Sequence, residues 1–145
     1  MQNQIGLIDV SYAFVQGTPS QALTASYANI TGGTMSESYN FTYSSDTLTY
    51  TGIYTLPFQF SIYAEGSDTS NNGGSNVRIL HNNTTSYGAA SFPGITTGQI
   101  FSKSTSPSGI ITLNSGDTIN LQALAALNNV TLNRFYLVLT QITGI

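Results

Sequence analysis

A lone histidine limits the chemistry open to this chain. His81 is the single imidazole and there is no cysteine, so neither a thiolate zinc site nor a multi-histidine metal site can form within one chain. Three copies around a symmetry axis would be needed to build one, and the simpler reading of His81 is a strand-end or loop residue. The acids are Asp9, Glu37, Asp46, Glu65, Asp68 and Asp117. Glycoside hydrolysis needs two carboxyls with separated pKa values facing one cleft, and the spacing of these six pairs no two of them. Asp117 follows Gly116, where its side chain can bond the backbone and hold a turn; Asp46 in Ser45-Asp46-Thr47 reads the same way. Glu65, Asp68 and Asn71-Asn72 place oxygen ligands in one segment, a weak calcium candidate without EF-hand spacing. No nucleophile elbow, phosphate loop or dinucleotide fingerprint occurs. The sequons that begin at Asn29, Asn40, Asn82, Asn83 and Asn129 are what chance produces in an Asn/Thr-rich chain. These residues predict no catalytic group, no metal and no cofactor. Contact chemistry remains: Tyr87 or Phe92, in the segment Asn82–Ile100, is the candidate for gripping a sugar or a receptor.

Charge narrows the partners. Only 6% of residues are charged, against 40% hydrophobic, and the formal net charge is −3. Binding nucleic acid requires clustered cations to neutralise phosphates, but Arg78, Lys103 and Arg134 are scattered. The same scarcity disfavours attachment to anionic lipid, and no apolar run approaches the ~20 residues of a membrane span. Met1-Gln2-Asn3-Gln4 has neither a basic region nor an apolar segment after it, so no signal peptide is expected. Ser, Thr, Asn, Gln and Gly stand where Lys and Glu usually do. A monomer so poor in charge is weakly protected against association, which points to a subunit packed against copies of itself.

The elements that must carry these residues are strands. Tyr54, Leu56, Phe58, Phe60 and Ile62 alternate with polar residues over Gly52–Ala64, a period of two sustained along a full strand. Pro57 lacks an N–H and suggests an edge or a bulge there. Ile8, Val10, Tyr12 and Phe14 alternate, as do Tyr39, Phe41 and Tyr43. Val77–Leu80 and Ile110–Leu113 are short runs, and Ile119 and Leu121 follow the turn Asn114-Ser115-Gly116-Asp117. Arg134–Ile142 is almost continuously apolar and predicts a strand buried on both faces. Turns are marked by Gly32-Gly33, by Ser44-Ser45-Asp46 and by the long Gly66–Asn76 segment. Ala123–Leu127 is too short for a stable isolated helix and reads as a strand end. Many short strands between polar turns predict an all-β sandwich or barrel, and 145 residues suit one domain, 1–145.

Three patches, in order, resemble the C1q/tumour-necrosis-factor jelly-roll superfamily. Gly52-Ile53-Tyr54 and the alternating strand after it look like the family's Gly-aromatic opener. Val77-Arg78-Ile79-Leu80-His81-Asn82-Asn83 is similar to its strand ending in an Asn-rich turn. Ser108 to Ala123 looks like its paired strands joined by a polar-Gly-Asp turn. Phe135-Tyr136-Leu137-Val138-Leu139 stands in the place of the last strand. The resemblance covers roughly residues 45–142. It departs at Tyr136, where the family usually has Gly, and no collagen-like stalk precedes the domain.

The resemblance implies a single jelly-roll sandwich that forms a compact homotrimer. It places Ile111 before the Gly-Asp turn, and Arg134 and Tyr136 on the last strand, near the trimer axis. Sixteen Tyr and Phe residues, nine and seven, suggest more aromatic β-surface than one small sandwich encloses. The expected function is that of a non-catalytic surface protein: a viral or phage capsid-decoration, spike or minor capsid subunit on a virion or particle surface, meeting itself and other capsid or surface proteins. The alternative is a glycan- or receptor-binding module of the same superfamily, such as a lectin or a bacterial spore-surface head, in an extracellular or spore-surface location.

Overall fold

The computed structural model describes residues 10–68, 75–92, 100–101, 108–126 and 130–142. It is built from β1 (Tyr12–Gly17), β2 (Gln21–Ala22), β3 (Ala28–Asn29), β4 (Gly33–Tyr39), β5 (Phe41–Ser44), β6 (Thr47–Tyr50), β7 (Leu56–Asp68), β8 (Ser75–His81), β9 (Thr85–Phe92), β10 (Ile100–Phe101), β11 (Ser108–Leu113), β12 (Thr118–Ala125) and β13 (Val130–Gln141). One sheet runs β10-β7-β13-β1-β4, with β11 also on β7 and β2 on β13; the other runs β5-β6-β12-β8-β9, with β3 on β12. From β6 onward nearly every connection changes sheet: β7 lies in the first, β8 and β9 in the second, β10 and β11 in the first, β12 in the second and β13 in the first. Two sheets laced together in this way are a jelly-roll sandwich, as the strand pattern and the resemblance led one to expect.

Local chemistry sets the turns. Ser45 and Asp46 both have positive φ (49° and 62°), as do Asn82 and Asn83 (50° and 61°). Two successive left-handed residues make the turn whose twist matches a hairpin, and these join β5 to β6 and β8 to β9. Asn40 (φ 65°) breaks what looked like one run from Tyr39 to Tyr43. It sends β4 into the first sheet and β5 into the second, so Tyr39 is 42% exposed while Phe41 is buried.

The core lies between the sheets. Phe58 and Phe60 of β7, Phe135, Leu137 and Leu139 of β13, and Ala13 and Val15 of β1 face Phe41, Leu48, Tyr50, Ile79, Ile119 and Leu121 from the other side. Phe41, Tyr50 and Phe58 form a three-ring cluster with centroids 5.2–5.3 Å apart. Tyr50 is 1% exposed, and it satisfies its hydroxyl by donating to the Tyr54 carbonyl at 2.8 Å. Asn120, 3% exposed, donates to the Asp46 carbonyl (3.1 Å) and to Thr47 Oγ1 (2.9 Å), which ties the β5–β6 turn to β12.

Several strand expectations need correction. The strand predicted from Gly52 starts at Leu56 and runs on to Asp68, taking part of the expected 66–76 loop with it. Tyr54 therefore lies before the strand and is 68% exposed. Pro57 is neither at an edge nor in a bulge of the ladder; it is the second residue of a strand paired on both sides, where a missing N–H is tolerated near the strand start. Ile111 and Ile119 do not lie on paired strands: β11 pairs with β7, whereas β12 pairs with β8 and β6, so the Gly-Asp turn carries the chain between sheets. Finally, β13 is buried on one face only. Phe135, Leu137 and Leu139 are covered, whereas Tyr136 and Val138 on the other face are partly exposed.

A candidate self-association face

The uncovered side of β13 belongs to a larger surface. Because side chains alternate along a strand, burying Ala13 and Val15 turns Tyr12, Phe14 and Gln16 of β1 outward. Burying Phe58, Phe60, Ile62 and Ala64 likewise turns Tyr63 of β7 outward. Strand register then aligns these residues: Phe14 stands opposite Val138, and Tyr136 lies between Gln16 and Tyr63. The rings of Phe14 and Tyr136 are 5.9 Å apart, and those of Tyr63 and Tyr136 are 5.2 Å apart. An aromatic band thus crosses three neighbouring strands, with Tyr12 (37% exposed) at one side and Ile110 of β11 (64% exposed) at the other.

Polar groups frame the band without breaking it. Arg134 donates to Tyr136 Oη at 2.7 Å, and its guanidinium lies 5.3 Å from the same ring centre. The Tyr63 hydroxyl donates to Glu65 Oε2 at 2.8 Å. That hydrogen bond, with desolvation and the Glu65 charge behind it, raises the Tyr63 pKa against the lowering influence of Arg134, so the phenol remains a donor at neutral pH.

The outer side of the second sheet has the opposite character. Thr42, Ser44, Thr47, Thr49, Thr118, Gln122, Asn76 and Arg78 point away from its core. Arg78 donates twice to Gln122 Oε1 (3.0 and 2.9 Å) and lies 3.6 Å from the Tyr27 ring centre. Gln122 in turn donates to Asn29 Oδ1 at 3.0 Å. One sheet shows clustered aromatic rings to the outside, and the other shows a mainly polar surface with its own internal hydrogen bonds, in which Leu80 and Leu124 are the outward aliphatic groups.

Arg134 and Tyr136, the two last-strand residues singled out from the sequence, are adjacent on the aromatic face. Ile111 must be corrected: it is 1% exposed and points into the sandwich, so its side chain cannot reach a second chain, whereas its neighbour Ile110 points out. Sequence reading missed Phe14, Tyr63 and Ile110, although the alternation through Tyr12 and Phe14 was the signal for part of the band. Tyr87 is not a loop aromatic. It sits on β9, packs against the core and has its ring 6.0 Å from that of His81. Phe92 ends β9, and its side chain lies outside the described residues, as do Asp9, Asn71, Asn72 and Lys103. Among the described residues no three metal-ligating side chains come together.

His81 and Asp117 are drawn into a turn lock. His81 Nε2 is 2.9 Å from Asp117 Oδ2; Asn82 Nδ2 donates to Asp117 Oδ1 (3.1 Å) and the Asn114 N–H to Oδ2 (2.9 Å). Asn82 Oδ1 accepts the Thr118 N–H at 2.8 Å. Asp117 therefore holds its own turn, as the sequence suggested, and also clamps it to the β8–β9 hairpin. Burial on its own raises the Asp117 pKa, but the Asn114 N–H, His81 and Asn82 outweigh it and hold the carboxyl below its ordinary value. A depressed carboxylate pKa adds stability that is complete above the unfolded value, about 4, and is lost as pH falls through the lower folded value. Asp117→Asn should cost about 1.5–3 kcal/mol at pH 7, the scale of hydrogen bonds to a charged group. It should also flatten the fall of the urea midpoint between pH 5 and pH 2. An unchanged midpoint at pH 7 would show the clamp to be ornamental.

No family model matches the chain, and no curated protein matches it. Solved structures do match in fold. Murine APRIL, from its crystal structure at pH 5.0, superposes with a TM-score of 0.63 at 12% identity over 92% of this chain and 100% of that one. The Eiger TNF of S. frugiperda gives 0.57 at 10% identity over 95% and 96%. The PRD1 vertex protein P5 gives 0.53 at 12% identity over 94% and 100%. Identities this low speak for the fold alone. By its strand order and these likenesses, the chain has the C1q/tumour-necrosis-factor-like jelly-roll fold.

Proposed function

We propose that this chain is a non-catalytic surface protein that forms a homotrimer through the outer face of its first sheet and serves as a structural subunit of a virion or similar particle. The observation that carries the reading is the aromatic band of Phe14, Tyr136 and Tyr63, flanked by Val138 and Ile110. There, alternation leaves three neighbouring aromatic rings outside the core on adjacent strands. Water-exposed apolar patches of this kind mark interaction sites, and tyrosine suits an interface because its ring is apolar while its hydroxyl bonds at the rim. The nearly charge-free composition supports the same reading, since it leaves few repulsive charges to keep copies apart. Closed cyclic symmetry satisfies such a face with no additional partner. The fold shared with the PRD1 vertex protein P5 is compatible with a particle setting.

Native mass measurement at nanomolar concentration tests the assembly. A species of three chains is expected, and a stable monomer would overturn the trimer. Probing intact particles from the source with antibody to the folded chain tests the location. Labelled particle surfaces are expected; particles purified to homogeneity without this chain would overturn it.

A further inference from the structure

At one end of the sandwich, adjoining the Tyr12 side of the aromatic band, where Tyr12 pairs with Tyr39, lies a cavity of about 410 Å³ lined by Ser11 just before β1, the β4–β5 crossing (Tyr39, Asn40), residues 50–54, Leu56 and the end of β13 (Gln141). Its size falls in the usual range for small-ligand sites, roughly 300–1,000 Å³. No charged residue and no histidine lines it. The groups present are side-chain amides, hydroxyls and phenol rings, with the aliphatic side chains of Ile53 and Leu56.

The floor is held in place from several directions. Ser11 is 1% exposed; its N–H donates to Gln141 Oε1 (2.9 Å) and its Oγ accepts from Asn40 Nδ2 (2.8 Å). The Gln141 N–H returns to the Ser11 carbonyl, and the Thr51 N–H donates to the Asn40 carbonyl. Two amides are thus fixed in orientation by one buried serine, each using a single one of these bonds, while an amide has two N–H donors and a carbonyl acceptor to offer. Gly52 lets the loop close over the floor, because a Cβ there would overlap the Tyr50 ring. Above the floor stand Ile53, Tyr54 and Tyr39, exposed by 81%, 68% and 42%. Tyr39 ends β4, and Tyr54 stands on a loop whose backbone is pinned by Tyr50 at the Tyr54 carbonyl; neither ring belongs to the buried core.

We propose that this end cavity is a subsite for a neutral sugar, with Tyr54 and Tyr39 as stacking walls and the Asn40 and Gln141 amides as hydroxyl readers. The chemistry selects the ligand class. A pyranose has an apolar C–H face that lies against a ring, and hydroxyls that both donate and accept, which amides can answer in either sense. The absence of any cation in the lining disfavours phosphate, sulfate and carboxylate ligands, which need a charged partner once desolvated. The lining comes from one chain, so the site is complete without the trimer.

The test uses the folded chain on an array of immobilised neutral and acidic oligosaccharides, followed by titration with the free neutral sugar that scores. Neutral glycans should bind with millimolar to micromolar affinity. Tyr54→Ala should weaken binding at least tenfold while leaving the circular-dichroism spectrum unchanged, since only the backbone carbonyl of Tyr54 is used by the fold. Asn40→Gly, which keeps the left-handed backbone and removes the amide, should do the same. Val138→Asp, three residues from Gln141 along β13 but outside the cavity lining, should keep the affinity for the free sugar whatever happens to the oligomer, which separates this inference from the trimer. Binding of acidic glycans alone, no binding to any neutral glycan, or binding unaffected by both Tyr54→Ala and Asn40→Gly would overturn the proposal.

Discussion

Val138→Asp should convert the trimer to a folded monomer at concentrations where the parent chain stays assembled. Val138 lies opposite Phe14 on one side and Ser61 on the other, at the centre of the aromatic face. In the single chain its side chain is partly exposed, so a carboxylate there remains hydrated and the fold tolerates it. In the trimer three such carboxylates would be buried without partners, and each buried ion costs several kcal/mol after relaxation. At 1.4 kcal/mol per tenfold, the assembly should weaken by at least about a hundredfold. Tyr136→Asp is a less clean choice because Arg134 sits two residues away, about 7 Å along the strand, and can neutralise the new charge. From Val138 the same arginine is about 13 Å away. Thr49→Asp, on the polar outer side of the second sheet, should leave the trimer intact. A Val138→Asp protein that still sediments as three chains would remove this face from the interface.

Phe58→Ala should destabilise the fold more than any surface change. Phe58 is fully buried and belongs to β7, while its ring partners Phe41 and Tyr50 belong to β5 and β6 of the opposite sheet. The side chain is therefore a bolt between the two layers. Truncating a buried phenylalanine costs about 3–5 kcal/mol through lost transfer and the cavity left behind. That is a large share of the 5–15 kcal/mol that holds a typical domain together. Urea unfolding in the Val138→Asp background reads the loss without help from association. Phe58→Leu, which keeps most of the volume, should lose much less. A midpoint within about 1 kcal/mol of the parent's for Phe58→Ala would mean that the layers are held elsewhere.

The sequence was readable wherever the physics is local. Alternation in 58–64 gave the strand face correctly because a period of two has one structural meaning. Ser44-Ser45-Asp46 marked a turn because those side chains tolerate left-handed backbone, and the resemblance marked a second at Asn82-Asn83, where both residues have positive φ. Asp117 was assigned to its turn because the bond it makes to the Asn114 N–H spans three residues. Boundaries were less secure. Asn40 looked like one polar step in an alternating run, and only the separation of β4 and β5 into different sheets reveals it as a corner. Tyr54 matched the period of the strand after it but stands on a loop, because the β7 ladder begins at Leu56.

By itself the sequence determined the class of fold, the lack of clustered cations and of paired histidines or cysteines, and the excess of rings over what a small core needs. Which stripe of a strand faces inward is not a property of the strand. Ala13 and Val15 are smaller than Tyr12 and Phe14, yet they are the ones enclosed, because Phe58, Phe60 and Phe135 already fill the space between the sheets. That packing choice pushes Tyr12, Phe14, Tyr63 and Tyr136 to the outside and turns Ile110 rather than Ile111 toward solvent. It also gathers Ser11, Asn40 and Gln141, up to 130 residues apart, around one cavity. Contacts over such separations are set by how two sheets fit together, and no window along the chain contains that information.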